Sequence, residues 1–150
     1  MNRVVEQVLN RLRIIQLNLN KSEKAHLDFI NKAPGELWDI ILIQEPDITY
    51  LRHIQAPNRF NSVFPPDRLA NSEVAVRSVI WVSSSLPTNS WKAVNILGNS
   101  DLTAIQITAG PRKITIFNIY NDCMHSTTLT CLHNFIQSRQ STLLGGTTAT

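Results

Sequence analysis

The sequence lacks any long hydrophobic run and any secretion signal. Its most apolar stretch, IILI at residues 40–43, is far shorter than the ~20 apolar residues that a membrane-spanning helix requires. The N-terminus has no apolar core of the signal-peptide type. Cysteine is scarce, and Cys123 and Cys131 are expected to be reduced thiols in a chain without a secretion signal. We therefore expect an intracellular protein, nuclear or cytoplasmic, that is neither secreted nor embedded in a membrane.

Glycine and charge are also sparse. The chain has 5 glycines and no low-complexity segment, and 150 residues of 43% hydrophobic composition suit one globular domain. Its 14 lysines and arginines exceed its 11 acidic residues, which gives a formal charge of +3. That surplus permits nucleic-acid binding without requiring it. Because Asp122 is the only acidic residue after Asp101, the C-terminal third is locally basic.

The first part of the chain predicts a strand, a helix and a buried strand. Residues 1–12 carry apolar side chains at helical spacing and predict an amphipathic lead-in helix, with a mitochondrial presequence as the alternative. Residues 13–20 alternate apolar and polar side chains, as a half-buried strand requires. Ser22 is suited to cap a helix that stops at residues 34–35. Residues 39–44 contain an unbroken apolar run, typical of a strand covered on both faces.

After this opening the pattern changes to short strands separated by turn residues. The predicted strands cover residues 60–64, 74–82, 91–96, 102–108 and 113–120. Residues 109–112 join the last two as a hairpin, Thr128 caps a further helix, and residues 141–146 begin another strand. A doubly wound fold would alternate strand and helix throughout, and this chain does not. The sequence therefore predicts an α/β sandwich with mostly antiparallel strands and flanking helices.

Glu45 is the first candidate for chemistry. It ends the buried strand and is followed at once by Pro46, which stops the hydrogen-bond ladder. Active sites gather where a rigid strand delivers a side chain to the edge of the core, and a carboxylate there suits a hard cation such as Mg²⁺. The alternative is a carboxylate that simply leaves the strand for solvent.

Asn18 and Tyr120 are two further candidates at strand ends. The Asn18 amide, on the polar face of the first strand, can orient a carboxylate, a metal-bound water or a phosphate oxygen. The Tyr120 phenol can donate a hydrogen bond to a phosphate oxygen in a transition state. Each also has an ordinary structural interpretation, as an edge asparagine and as an aromatic residue that packs its ring and exposes its hydroxyl.

Four segments together carry a family resemblance. They are QLNLNKS at residues 16–22, LIQEP at 42–46, RSVIWV at 77–82 and IFNIYNDC at 116–123. In this order they resemble the endonuclease domain of non-LTR retrotransposons, most of all the fungal ones. That domain belongs to the endonuclease/exonuclease/phosphatase superfamily, together with apurinic endonucleases and DNase I-like enzymes. The resemblance implies a partial DNase I-like two-sheet sandwich over residues 13–146, with 147–150 as a non-matching tail.

The resemblance also implies a chemistry and a partner. The family hydrolyses DNA phosphodiester bonds with Mg²⁺, by in-line attack of water while the cation neutralises developing charge. By position, Glu45 resembles the metal-binding glutamate, Asn18 the asparagine beside the metal and Tyr120 the tyrosine near the scissile phosphate. Asn121 and His125, just past Tyr120, are expected to line the nucleic-acid cleft.

The sequence departs from the family at its C-terminal end. Where the family has an Asp-Phe-Asn-type motif, the aspartate position falls on Thr147 and the asparagine position on Ala149. The later Asp-His pair, which resembles the catalytic base and its orienting partner, has no counterpart. We expect weak or absent Mg²⁺ binding and an inactive, truncated copy. Whether the chain is an enzyme stays open, the alternative being a non-catalytic remnant or a phosphate-binding module.

Two Cys-x-His pairs offer an alternative metal site. They are CMH at residues 123–125 and CLH at residues 131–133, and both ligand types bind zinc. In a helix, however, Cys131 and His133 project roughly 100° to either side of the apolar Leu132. One helical turn cannot easily present both side chains to one ion. We therefore expect a Mg²⁺ site at Glu45 rather than a zinc site at the Cys-x-His pairs.

The resemblance finally predicts an uncovered sheet face. In the family, most of the second sheet comes from residues beyond the position of Gly146. The strand faces carrying Ile105, Ile107, Ile114 and Ile116 are therefore expected to be partly exposed. Such a face predicts marginal stability, binding of a hydrophobic dye and self-association.

Overall fold

The computed structural model describes residues 11–122 and 124–148, without the side chains of residues 69 and 140–148. The chain forms two compact units, Met1–Tyr120 and Asn121–Thr150. The lead-in helix predicted for residues 1–12 lies, apart from its last two residues, outside the described residues.

Sheet A of the first unit has four strands. They are β1 (Ile14–Asn18), β2 (Ile40–Gln44), β3 (Phe60–Val63) and β4 (Ser78–Ser83), in the order β1-β2-β4-β3. β1 and β2 are parallel, because helix α1 (Glu23–Ile30) crosses between them, and the other pairings are antiparallel. The Ser22 side chain accepts a hydrogen bond from the Ala25 amide, which confirms the predicted cap.

Sheet B completes the first unit. It consists of β5 (Trp91–Val94), β6 (Leu102–Ala109) and β7 (Arg112–Ile119), all antiparallel and in sequence order. The hairpin between β6 and β7 is tighter than predicted, since only Gly110 and Pro111 lie between the strands. Gly110 has a φ of +57°, which a glycine adopts without strain. Two short helical segments, Pro34–Glu36 (3₁₀) and α2 (Pro66–Ala70), lie in the connections of sheet A.

The core lies on both faces of β2 and β4, the two central strands of sheet A. One face packs side chains such as Ile41 and Trp81 against helix α1. The other packs Ile40 and Ile80 against the inner face of sheet B. Because each strand is covered on both sides, the apolar run of β2 is explained, and the predicted two-sheet α/β sandwich is confirmed.

The prediction of an uncovered sheet face is wrong for its central residues. Ile105 and Ile107 of β6 are buried, because they pack against β2 and β4 of the same chain. Ile116 is half-buried against the same cluster, and only Ile114 is exposed, at 44%. Of the four isoleucines predicted to form a surface for self-association, one is therefore exposed.

The second unit contains helix α3 (Thr127–Thr148). The strand predicted for residues 141–146 is wrong, because these residues continue the helix. A short apolar run does not by itself distinguish a strand from a helix, and a helix satisfies its backbone hydrogen bonds without a partner strand. Thr128 lies inside the first turn and is not the cap. No helix among the described residues is both long and apolar enough to cross a membrane.

Candidate active site

Glu45 follows β2 directly and adopts an unusual backbone conformation. Its φ is +48°, a left-handed value that costs a non-glycine residue of order 1–3 kcal/mol. Two backbone bonds hold it there. Its amide donates to the Arg77 carbonyl at 3.0 Å, and its carbonyl accepts from the Lys21 amide at 2.9 Å. The conformation is therefore fixed from both sides, by the turn after β1 and by the residue before β4.

Asn18 shapes the turn that contacts Glu45. It ends β1 opposite Gln44 in the parallel register, and its Oδ1 accepts from the Asn20 amide at 2.8 Å. Asn20 and Lys21 both have left-handed φ values, +53° and +56°. Asn18 is exposed next to the end of β2, as expected. Its amide oxygen supports the turn that holds the Glu45 backbone, a role that the sequence alone did not suggest.

Tyr120 meets Glu45 from the other sheet. It follows β7, and its hydroxyl donates a short hydrogen bond to Glu45 Oε1, although the two residues are 75 positions apart. Both side chains are half-buried. The structure therefore brings together the two residues that the sequence placed at the ends of separate strands.

Arg77 and Asp101 support Tyr120 and were not singled out from the sequence. The Arg77 guanidinium lies 4.6 Å from the centre of the Tyr120 ring, a cation–π contact. Its Nε and Nη2 donate to the two Asp101 carboxylate oxygens at 2.9 and 2.6 Å. The Asp101 carbonyl accepts from the Tyr120 amide at 2.9 Å. The available signal was a charged residue directly before a buried strand, since Arg77 precedes β4 and Asp101 precedes β6.

Buried polar side chains fasten the two sheets together beneath Glu45 and Tyr120. Asn118, fully buried in β7, donates to the carbonyls of Ile43 and Val79 at 2.8 and 3.0 Å. The Ser78 hydroxyl bonds to Thr103 Oγ1 and to the Asn118 carbonyl. Because buried polar groups are costly unless satisfied, these bonds specify one register between the sheets. That register sets where Glu45 and Tyr120 meet.

The donor set at Glu45 fits a hard cation. Glu45 supplies one carboxylate, and Mg²⁺ usually binds one or two protein carboxylates and keeps several waters. The described residues contain no group of three or more His, Cys, Asp or Glu side chains placed to hold a metal. Of the alternative zinc pairs, Cys123 lies outside the described residues, and Cys131 and His133 lie on helix α3.

Asn121 and His125 belong to the second unit and are exposed. His125 Nδ1 lies 3.6 Å from the Asp122 carboxylate, and its amide donates to the Asp122 carbonyl at 3.1 Å. Their contact with nucleic acid stays a prediction.

Comparison with known proteins supports the architecture. The α/β sandwich of two sheets is a fold that the chain shares with a solved endonuclease domain. Among solved structures, the chain is similar to the endonuclease domain of TRAS1, a telomere-specific non-LTR retrotransposon. The identity is 17% and the TM-score 0.63, over 85% of this chain and 53% of that one.

This likeness confirms, at the level of the fold, the resemblance carried by the four sequence segments. The chain spans about half the length of the solved structure that it matches. No family model and no curated protein matches the sequence.

Proposed function

We propose that the chain carries part of a Mg²⁺-dependent phosphodiesterase site of the nuclease type, with DNA as its partner. The observation that supports this most directly is the hydrogen bond between Tyr120 and Glu45, which joins a hard-cation ligand to a phenol donor. The fold alone does not separate DNA from other phosphoesters, so the choice of DNA rests on the resemblance of the four sequence segments to retrotransposon endonuclease domains.

Each residue has a definite task in this proposal. Glu45 provides the carboxylate for the cation, and Asn18 keeps the neighbouring turn in place. The Tyr120 hydroxyl donates its one hydrogen to Glu45 Oε1, and when a cation takes over that carboxylate the hydroxyl can donate to a phosphate oxygen instead. Arg77 holds the Tyr120 ring and is itself neutralised by Asp101. A bound cation supplies charge neutralisation at phosphorus and activates water.

We further propose that residues 1–150 bind metal weakly and do not cleave DNA on their own. The positions that resemble the family's aspartate and asparagine hold Thr147 and Ala149. A general base typically contributes about 10²–10⁴ in rate, and the described side-chain hydrogen bond of Glu45 goes to a tyrosine and not to a histidine or a second carboxylate. The chain then acts as a phosphate-facing binding module.

Calorimetric titration with MgCl₂ tests the metal half of the proposal. The wild-type chain should show a weak site, in the millimolar range because one carboxylate leaves the ion mostly hydrated. Glu45→Gln should remove it. Glu36→Gln, which alters an exposed glutamate in the 3₁₀ turn, is the matched control and should retain it. Equal titration curves for the wild type and Glu45→Gln would overturn the assignment.

Incubation with supercoiled plasmid and Mg²⁺ tests the catalytic half. No nicking above the buffer control is expected from the purified chain. Nicking that disappears in Glu45→Gln but persists in Glu36→Gln would contradict the absence of catalysis. It would also show that an unassigned residue supplies the base.

A further inference from the structure

The loop after Glu45 presents two large apolar side chains to solvent. Residues 47–55, here called the Tyr50 loop, lie in the connection between β2 and β3. Tyr50 is 97% exposed and its neighbour Leu51 is 69% exposed. The two residues are adjacent at the loop apex, so an aromatic and an aliphatic side chain together offer an apolar contact surface.

A buried histidine fastens the two ends of this loop. His26 of helix α1 is buried, and its Nδ1 accepts from the Asp47 amide at 3.1 Å. Its Nε2 lies 2.6 Å from the Gln55 carbonyl. Because Nδ1 accepts, the ring proton lies on Nε2, which donates to Gln55. One side chain thereby joins the first and last residues of the Tyr50 loop.

The apex of the loop is ordered by further hydrogen bonds. The Thr49 amide donates to the His53 carbonyl at 2.9 Å, and the His53 amide donates to Thr49 Oγ1 at 3.1 Å. The Arg52 amide donates to the Thr49 carbonyl at 2.8 Å. The buried guanidinium of Arg68 donates to the Arg52 carbonyl. Tyr50 and Leu51 are therefore held outward by a preorganised turn.

The surroundings of the loop favour a nucleic-acid partner. The loop begins two residues after Glu45, and its first residue, Asp47, is fixed by the buried His26. Beside the apex is an open concavity of about 740 Å³, lined by Tyr50, Leu51 and His53 among others. Lys21, whose amide bonds to Glu45, makes no ion pair with any described residue and can face the phosphate backbone.

We propose that Tyr50 and Leu51 form a stacking wedge that contacts an unstacked nucleobase of the DNA bound at Glu45. The proposal rests on the proposed function for its choice of partner. Aromatic rings stack on any base, and apolar side chains wedge between base steps. The loop supplies both kinds of side chain at one rigid apex.

Fluorescence anisotropy of a labelled single-stranded oligonucleotide, titrated with the full chain at low salt in EDTA, tests the wedge. Tyr50→Ala should weaken binding about tenfold or more, as loss of a stacking platform does. Tyr50→Phe, which keeps the ring, should bind like the wild type. Leu51→Ala should show a smaller loss. Leu37→Ala, at a leucine 61% exposed elsewhere in the same unit, is the matched control and should show none.

A second readout reports on stacking itself. 2-Aminopurine placed in the oligonucleotide should change its fluorescence on binding, and Tyr50→Ala should abolish the change while Tyr50→Phe keeps it. Undetectable binding by the wild type, or equal affinities of the wild type and Tyr50→Ala, would overturn the wedge. So would a Tyr50→Ala effect confined to self-association in sedimentation velocity, which would assign the loop to a protein contact. Because EDTA removes divalent metal, these outcomes do not depend on whether Glu45 binds Mg²⁺.

Discussion

Strand β2 has a carboxylate beyond each of its ends, and the two are held in different ways. Asp39, just before the strand, receives the Arg13 amide, Nε and Nη2 at 2.9, 3.2 and 3.0 Å. Glu45, just after it, receives the neutral hydroxyl of Tyr120 and makes no ion pair within the described part of the chain. Arg77, which lies over the Tyr120 ring, is itself paired with Asp101.

The two carboxylates differ in the charge of their partners, and this difference supports the proposal of Glu45, and not Asp39, as the metal ligand. Burial raises the pKa of Asp39, but the hydrogen bonds and charge of Arg13 outweigh it and leave the pKa below its ordinary value of 3.8. Asp39 is thus already neutralised by a cation that is part of the protein. Glu45 is oriented by a phenol that carries no charge, so its negative charge is available to an added cation.

The largest effect on stability is expected at Asn118, which bonds to β2 near the end of the strand that precedes Glu45. Asn118→Ala removes two hydrogen bonds to the carbonyls of Ile43 and Val79 and leaves a small cavity between the sheets. We expect a loss of about 2–4 kcal/mol in the free energy of unfolding. Urea unfolding measures it, with the exposed Asn61→Ala of β3 as a control that should change by less than about 0.5 kcal/mol. Equal unfolding midpoints for the two variants would show that the Asn118 hydrogen bonds do not hold the two sheets together.

A smaller effect is expected at the Asp39 end. Asp39→Asn should cost about 0.5–1 kcal/mol, since solvent screens a pair whose Arg13 side chain is 46% exposed. Because the folded pKa of Asp39 lies below its unfolded value, this stability is present above about pH 4. It is lost as pH falls through the folded pKa. Thermal unfolding from pH 7 to pH 2 should show a difference between wild type and Asp39→Asn that disappears at the acid end. A difference in stability that grows in acid would contradict the expected lowering of the Asp39 pKa in the folded state.

The smallest effect on stability is expected at Tyr120. Tyr120→Phe removes the hydroxyl from Glu45 but keeps the ring on Arg77, so the loss should be at most about 1 kcal/mol. Differential scanning calorimetry measures it against Tyr120→Ala, which also removes the ring and should cost more. A loss in Tyr120→Phe as large as that in Tyr120→Ala would mean that the hydroxyl is a structural element and not part of a binding site.

Much of the sandwich was predictable, because strand periodicity is local. The alternation at residues 13–20 and the apolar run at 39–44 predicted β1 and β2, and Ser22 predicted the start of α1. The strand prediction for residues 141–146 was wrong because two adjacent leucines fit a strand and a helix equally well.

The site was predictable only in part, because its contacts are between distant segments. Glu45 and Tyr120 were predicted as ends of strands, and the structure joins them. The pairing of Arg77 with Asp101 depends on the register between two sheets, which no local pattern contains. The coverage of Ile105 and Ile107 depends on the same register.

The most direct test of the difference between Glu45 and Asp39 is Mn²⁺ titration followed by backbone amide NMR. Substoichiometric Mn²⁺ should broaden the amide signals of residues 18–21, 44–47 and 120 in the wild type. Asp39→Asn should keep this pattern, and Glu45→Gln should lose it, because only the second substitution removes the ligand. Broadening that persists in Glu45→Gln, or that centres on residues 13 and 39 in the wild type, would contradict the assignment of Glu45 as the metal-binding carboxylate.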